Sequence, residues 1–407
     1  MPISPSASTA LTAAAALDRD DPLARFRVRF LLPVGMRYFD GNSLGALAQG
    51  VAERVARVAT HEWGEGLIGS WTSAGWLELP KRVAARLAPF LGVGADEVAV
   101  ADGTSVNLFK LLGAALQARP GRKRVLALAG NFPTDLYVAR AAAEQHGAAV
   151  ETFAAGDLAA AIDGRTAVVT LSHVDYRTGE VFDLAALAAA AHRQGALLLV
   201  DVSHSVGAMP LLLGEWRVDL AVGCGYKFLG GGPGAPAFLV VRRELQESLR
   251  SPLPGWLGHA NPFAFADGYE PAPGVDRFLC GTPPILSLSA LDAALEAWEG
   301  IDLRAVRDWS ASLGDAFIAL ADAHLAPLGV TVASPRDAAR RGAQVSLRHP
   351  RAQELIAALA ARGIVGDFRP PDLLRFGLHA LYVRHADVVA LVEALAGLLA
   401  DPPEPRR

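Results

Sequence analysis

Gly223-Cys224-Gly225-Tyr226-Lys227-Phe228-Leu229-Gly230-Gly231-Gly232-Pro233-Gly234 is the stretch that decides how this chain is read. It sets one lysine among glycines, downstream of Ala196-Leu197-Leu198-Leu199-Val200-Asp201, an apolar run with the look of a buried strand closed by an aspartate. A lysine amine attacks a carbonyl only when neutral, so a reactive lysine needs a site that lowers its ordinary basicity. Glycines around it let a bulky cofactor approach the backbone closely. An aspartate at a neighbouring strand end is suited to keep a pyridine nitrogen protonated, the second protein group that pyridoxal phosphate (PLP) chemistry needs. The same residues also read as a loop lysine and a strand-capping aspartate. Taken alone, they leave both readings open.

Outward from this stretch, apolar strands alternate with helical patterns between about residues 95 and 243. Strands are expected at Glu97–Ala101, Arg124–Ala129, Ala148–Phe153, Thr166–Leu171, Ala196–Asp201, Asp219–Gly223 and Ala237–Val241. Helices are expected at Val106–Ala118, Asp135–His146 and Leu184–Gln194. The alternation predicts an α/β fold, a mostly parallel sheet covered by helices, with ligands beyond the carboxyl ends of its strands. The Pro/Gly/aromatic segment Pro252–Pro284 is too long for an idle loop and is expected to line a site or an interface. From Ile285 onward, helices at Leu286–Trp298, Leu303–Leu325, Ala352–Ala361 and Ala386–Ala400 mix with short strands at Val330–Ala333, Gln344–Arg348 and Leu374–Leu378, as in a smaller α+β domain. The expected division is a mobile tail over 1–25, an N-terminal arm over 26–60, a large cofactor domain over 61–285 and a small domain over 286–407.

Size and composition agree with this. A chain of 407 residues exceeds what one core usually organises. Apolar residues make up 52% and charged ones 20%, a core-forming balance. A net charge of −4 gives no electrostatic reason to expect nucleic acid or an anionic membrane as partner. Cys224 and Cys280 are too few for a disulfide framework, and no C-x-x-C pair suggests zinc, so no metal and a reducing compartment are expected. Residues 1–17 carry no Lys or Arg, unlike a secretory signal, and no apolar run reaches the ~18 residues of a membrane span. A soluble cytoplasmic protein is the expectation.

Polar groups recur at successive strand ends. Thr104 and Ser105 open an apolar helix, where N–H groups and hydroxyls suit a phosphate, though Ser or Thr there also serves as a plain cap. Phe132 in Asn131-Phe132-Pro133-Thr134-Asp135 is placed to stack on a flat ring or to fill the core. Ser172 ends a further strand, and His204 follows Asp201 closely enough to donate to a phosphate or to support that carboxylate. Arg375 lies inside an apolar strand of the small domain, where a bidentate carboxylate is its natural partner. An amino-acid substrate would supply one, and so would an intramolecular acid. Gly41-Asn42-Ser43-Leu44-Gly45 matches the G-x-S-x-G nucleophile elbow, but only about forty residues precede it, too few for a hydrolase sheet.

Several stretches together resemble the kynureninase family, fold-type I PLP enzymes of the aminotransferase class V superfamily. They are Tyr38–Gly45, Asn131–Asp135, Ser172–Gly179, Asp201–His204, Cys224–Lys227, Gly255-Trp256-Leu257-Gly258-His259 and Phe278-Leu279-Cys280-Gly281-Thr282. The resemblance implies that Lys227 joins the PLP aldehyde, that Asp201 pairs with the pyridine nitrogen and that Phe132 stacks on the ring. Thr104, Ser105, His204 and Tyr226 would surround the cofactor, with Asp135 and Ser172 completing its polar lining. Trp256 and Thr282 would reach the cofactor of the neighbouring subunit, which implies a homodimer. Arg375 would clamp the substrate carboxylate, with Ser43, Trp71 and Gly281 on the substrate side. The implied reaction is hydrolysis of L-kynurenine to anthranilate and L-alanine in tryptophan catabolism, with Lys227 taking the α-proton and Tyr226 as acid and base for cleavage. Trp71, Gly281 and Thr282 resemble the bacterial type that prefers kynurenine to 3-hydroxykynurenine. The rival readings are a cysteine desulfurase or selenocysteine lyase of the same fold, which would need a mobile nucleophilic cysteine, and a PLP-binding regulator without turnover.

Overall fold

The computed structural model describes residues 5–400, so residues 1–4 of the expected tail and 401–407 of the expected small domain lie outside it. Its main helices are α1 (Pro5–Arg19), α2 (Leu79–Leu91), α3 (Thr104–Gln117), α4 (Pro133–Gln145), α5 (Leu184–Arg193), α6 (Ile285–Glu296), α7 (Leu303–His324), α8 (Ala352–Ala360) and α9 (His385–Ala400). Seven strands build the large sheet: β1 (Val98–Val100), β2 (Arg124–Leu128), β3 (Ala149–Phe153), β4 (Thr166–Ser172), β5 (Leu197–Asp201), β6 (Leu220–Cys224) and β7 (Ala237–Val241). Their order is β1-β7-β6-β5-β4-β2-β3. From β3 to β6 all neighbours are parallel, whereas β7 is antiparallel to both of its neighbours. This is the mostly parallel α/β sheet anticipated above.

Every residue of β5 is buried, because helices cover both sheet faces and alternate side chains feed separate cores. Leu197 and Leu199 pack with Leu111 of α3 and Ala139 of α4. Leu198 and Val200 pack with Leu87 of α2 and Leu187 of α5. A strand buried on both sides has no polar alternation, so it reads in sequence as a continuous apolar run. Strand and helix ends differ from the expected ones by a residue or two, where end hydrogen bonds thin out.

The second sheet holds β8 (Thr331–Val332), β9 (Gln344–Arg348), β10 (Asp367–Arg369) and β11 (Leu373–Gly377) in the order β8-β9-β11-β10, antiparallel throughout. Phe317 of α7, Leu355 of α8 and Leu391 of α9 share its core with Phe376. Strand β10 was not anticipated. It lies between Gly366 and Pro370-Pro371, which punctuate the sequence like a loop.

One N-terminal segment departs from expectation. Residues 5–19, placed above within a mobile tail, form α1, as suits an alanine-rich run. Helix α1 packs along α9, and the Asp18 carboxylate accepts from the His385 and Ala386 backbone N–H groups at the start of α9 (2.9 and 3.0 Å). The following arm is threaded between the two sheets. Arg37–Tyr38 pairs in parallel with Ile364–Val365, the Phe39 carbonyl accepts from Gly377 N–H (2.6 Å), and Gly45 N–H donates to the Tyr226 carbonyl (2.9 Å). The residues that mimic a nucleophile elbow therefore brace the end of β11 against the loop that follows β6.

Candidate functional site

Lys227 and Tyr226 are half-buried in the loop after β6. The loop is closed by Gly230 N–H donating to the Lys227 carbonyl and Gly231 N–H donating to the Gly225 carbonyl, both at 2.9 Å. Gly230 sits at φ +74°, a backbone region that favours glycine. Next along the sheet, Asp201 closes β5, and its carboxylate accepts from Ser203 N–H (2.7 Å). Asp135, in the first turn of α4, accepts from Ser172 Oγ and Asn131 Nδ2 at 3.4 Å each. Asn131 Oδ1 in turn accepts from Ser172 N–H (3.0 Å), so one buried amide joins the ends of β2 and β4.

Two carboxylates and one amine thus share a buried space. Burial, then the Asp201 charge, pushes Asp135 well above the usual carboxylate range. Burial raises Asp201 too, opposed by Lys227 and by its bonds to Ser203. Like charges in low dielectric oppose each other's ionisation, so the two acids titrate as a pair. Tyr226 is raised by burial and then by the Cys224 thiol beside it, so its phenol stays protonated. His204 is pushed well below its usual value by burial, then by Lys227 and Arg375, and its Nδ1 is buried with no partner among the described residues.

The carboxyl-end turn before α3 carries the other polar groups. Thr104 and Ser105 start the helix, and its N-cap, Gly103, contributes no side-chain bond. Asp102 adopts φ +52° and is held by fully buried Lys110 (2.6 Å), which also donates to the Phe278 carbonyl (2.6 Å). Phe132 is half-buried and meets Tyr176 edge to face, ring centroids 5.2 Å apart. The Tyr176 carbonyl accepts from Arg375 Nη1 (2.8 Å).

Arg375 is 1% exposed in β11. Its Nη2 donates to Ser43 Oγ (2.7 Å) and pairs with Asp367, which faces it in register on β10, while Nε is buried with no partner among the described residues. The intramolecular acid considered for Arg375 therefore exists. Arg369 shares Asp367 (2.6 Å), and Asp40 lies in the same field.

Four candidates lie outside the strand-end turns that carry this cluster. Among the described residues, no hydrogen bond, ion pair or ring contact joins Trp256, Gly281, Thr282 or Trp71 to Lys227, Asp201 or Arg375. Trp71 packs edge to face on Trp76 (5.6 Å), which donates to Glu62 (2.8 Å). Gly281 and Thr282 are exposed, and Trp256 lines a cavity of about 430 Å³ with Phe265 and Tyr269. Asn131, Asp367 and His379 belong to the site's surroundings and were not singled out from sequence. Only Asn131, inside a quoted motif, left a signal there.

A family model described as the kynureninase C-terminal domain matches residues 306–395. A kynureninase of Deinococcus radiodurans is 50% identical over 390 residues, spanning 94% of this chain and 95% of that protein. A kynureninase of Burkholderia mallei is 47% identical over 393 residues, spanning 95% and 94%. Solved structures similar to the chain include an apo cysteine desulfurase from Thermococcus onnurineus NA1 (TM-score 0.79, 20% identity, 92% of this chain and 98% of that one). A C-DES mutant with glycine covalently linked to its PLP cofactor superposes with a TM-score of 0.78 at 20% identity, covering 91% of this chain and 98% of that one. At such identity the likeness is one of fold, the PLP fold type I. The match to the Deinococcus protein, sustained over nearly the whole length of both chains, is of another order, and by it this chain belongs to the kynureninase family of PLP enzymes.

Proposed function

We propose that this chain hydrolyses the Cβ–Cγ bond of L-kynurenine, giving anthranilate and L-alanine, with PLP joined to Lys227. The observation that carries this reading is that Lys227, Asp201 and Asp135 lie within one another's electrostatic reach at adjoining strand ends, with His204 in reach of both Lys227 and Arg375. The residues fit the cofactor. Asp201 offers a carboxylate to a pyridinium, Phe132 a ring face, and Thr104 and Ser105 hydroxyls at a helix start. The unpartnered His204 Nδ1 is a further polar contact. Bound there, PLP supplies an electron sink for the charge released at the substrate Cα.

The protein's own groups supply the rest. Lys227 Nζ takes the α-proton. Tyr226, protonated at neutral pH, exchanges a proton at the γ-carbonyl oxygen as water adds and the Cβ–Cγ bond breaks. Arg375, with Ser43 beside it, receives the substrate carboxylate, for which the planar guanidinium is suited. Trp71 and Gly281 belong to the aryl end of this reading, with kynurenine preferred to 3-hydroxykynurenine.

The working unit in this proposal is a homodimer, with Trp256 and Thr282 completing the partner's site. Large apolar side chains left in solvent support it, among them Trp63, Ile68 and Phe265 at 58, 82 and 78% exposure. Its free thiols suit a cytoplasmic setting. A desulfurase would use a mobile thiol, but Cys224 is buried at the end of β6 and Cys280 donates to the Leu253 carbonyl (3.0 Å).

Purified protein given PLP and L-kynurenine should release fluorescent anthranilate and alanine in equal amounts, and Lys227→Ala should release none. Sulfide from cysteine as the main product, or cofactor absorbance without turnover, would reject the reading. Mixing Lys227→Ala with Trp256→Ala chains should restore part of the activity through hybrid dimers with one intact site. No recovery would remove the shared site.

A further inference from the structure

We infer that His379 is a positioning residue for Lys227: its imidazole fixes the carbonyl of Phe228, the residue after the lysine, and ties the lysine loop to the end of β11. This rests on the reading of Lys227 as the cofactor lysine.

Three successive carbonyls of the loop are each held by a donor. Tyr226 O accepts from Gly45 N–H and Lys227 O from Gly230 N–H, both at 2.9 Å, while Phe228 O accepts from His379 Nε2 at 3.0 Å. Two of these donors are backbone groups. His379 is the one side chain among them, so it alone can be changed without altering the main chain.

The protonation of His379 follows from its bonds. Leu381 N–H donates to Nδ1 (3.3 Å), so Nδ1 carries the lone pair and the proton sits on Nε2, aimed at Phe228 O. Burial pushes the imidazole down to about 4, opposed by the bond to Phe228 and assisted by Arg27, so this tautomer persists through neutral pH. The ring is fixed as well. Tyr382 (4.1 Å, 16°) and Phe228 (5.6 Å, 27°) stack with it, and Phe30 and Trp298 lie at 5.8 and 5.9 Å. These rings come from the arm, the lysine loop, the end of α6 and the chain after β11. The imidazole is thereby placed by four chain segments and transmits that placement to the lysine's neighbour.

The test uses full-length chain freed of cofactor, to which PLP is returned and reduced onto Lys227 with borohydride at timed intervals. His379→Phe keeps an aromatic ring and loses the donor, whereas His379→Gln returns an amide N–H. Among variants with the wild-type circular dichroism spectrum, His379→Phe should incorporate PLP at Lys227 at least about tenfold more slowly, as loss of alignment implies. His379→Gln should return close to the wild-type rate. A wild-type rate in His379→Phe, or an equally slow His379→Gln, would overturn the inference. Should His379→Phe not fold, His379→Met serves as the donor-free comparison. A wild-type chain that takes no PLP at Lys227 would instead bring down the functional reading, and this inference with it.

Discussion

Gly45→Ala is the sharpest perturbation the structure offers, because the added methyl meets only backbone. A Cβ on Gly45 falls 2.8 Å from Gly230 Cα and 3.0 Å from Gly230 N, and closer still to the Lys227 carbonyl oxygen. Carbon atoms at rest lie about 3.5 Å apart or more, so roughly 0.7 Å of overlap with Gly230 Cα must be relieved. No rotamer can relieve it, since every atom met belongs to the main chain of the lysine loop. Gly45 is not among the residues with positive φ, so an alanine there is not strained by its own backbone. Alanine even gains about 0.4–1 kcal/mol from a less flexible unfolded chain. Overpacking of this kind costs about 1–3 kcal/mol, which leaves a net loss of roughly 1–2 kcal/mol. The kinetic effect should be larger, because shifting a reacting group by ~1 Å costs on the order of 100-fold in rate. Urea unfolding and anthranilate release, measured on the same preparation, read the two quantities. Gly397→Ala in α9, where a Cβ meets no described residue within 4 Å, is the control and should gain about 0.5–1 kcal/mol with unchanged turnover. A Gly45→Ala chain with wild-type stability and wild-type turnover would refute the claim that this glycine sets the lysine loop.

Acid should weaken the fold in a defined window. Burial pushes His173 and His379 down to about 4, whereas the unfolded chain protonates them near 6.5. Each therefore stabilises the fold fully above 6.5 and loses that stability as pH falls toward 4, about 2 kcal/mol apiece by about pH 5. A urea midpoint unchanged between about pH 7 and 5 would contradict this. Asp40 is raised to about 6, by burial first, against its bond to Ser43. An ionised Asp40 opposes a carboxylate arriving at Arg375, so KM should rise as pH climbs through about 6 and stay flat in Asp40→Asn. A wild-type KM that ignores pH there would exclude the linkage. Asp18→Ala removes the acceptor for two N–H groups of α9 and should cost about 1–2 kcal/mol in thermal unfolding without changing kcat. An unaltered melting curve would mean that α1 does not anchor there.

What was legible in sequence follows from what each element must bury. Strands β4, β5 and β6 are covered on both faces, so they stand out as apolar runs, and Asp201 and Lys227 stand out at or just beyond the ends of two of them. Asp367 did not stand out, although it pairs with Arg375. It sits on a three-residue edge strand beside a proline pair, and only the cross-strand register brings the two together. His379 was invisible for a similar reason, since its partners come from segments far apart in the chain. Helix α1 was misread because alanine and serine without a charged face look like low complexity, while its packing depends on Asp18 reaching across to α9. Trp256 and Thr282 are a different case. Their expected contacts lie on a second copy, and one chain cannot gather them.

The two partners considered for Arg375, an internal acid and a substrate carboxylate, do not compete once the charges are counted. A guanidinium 1% exposed in a strand cannot wait unpaired between turnovers, so Asp367 has to be there. Asp367 is also shared with Arg369, and Asp40 adds a second acid beside two cations. With Asp40 ionised, the four groups sum to zero and offer an incoming anion no net attraction. With Asp40 protonated, they sum to one positive charge. An acid raised to about 6 at this position therefore lets the cluster remain paired when empty and still attract a carboxylate. Ser43 accepts a hydrogen bond from Arg375 and stands two residues before Gly45, whose N–H holds the Tyr226 carbonyl, so it links that charge balance to the lysine loop.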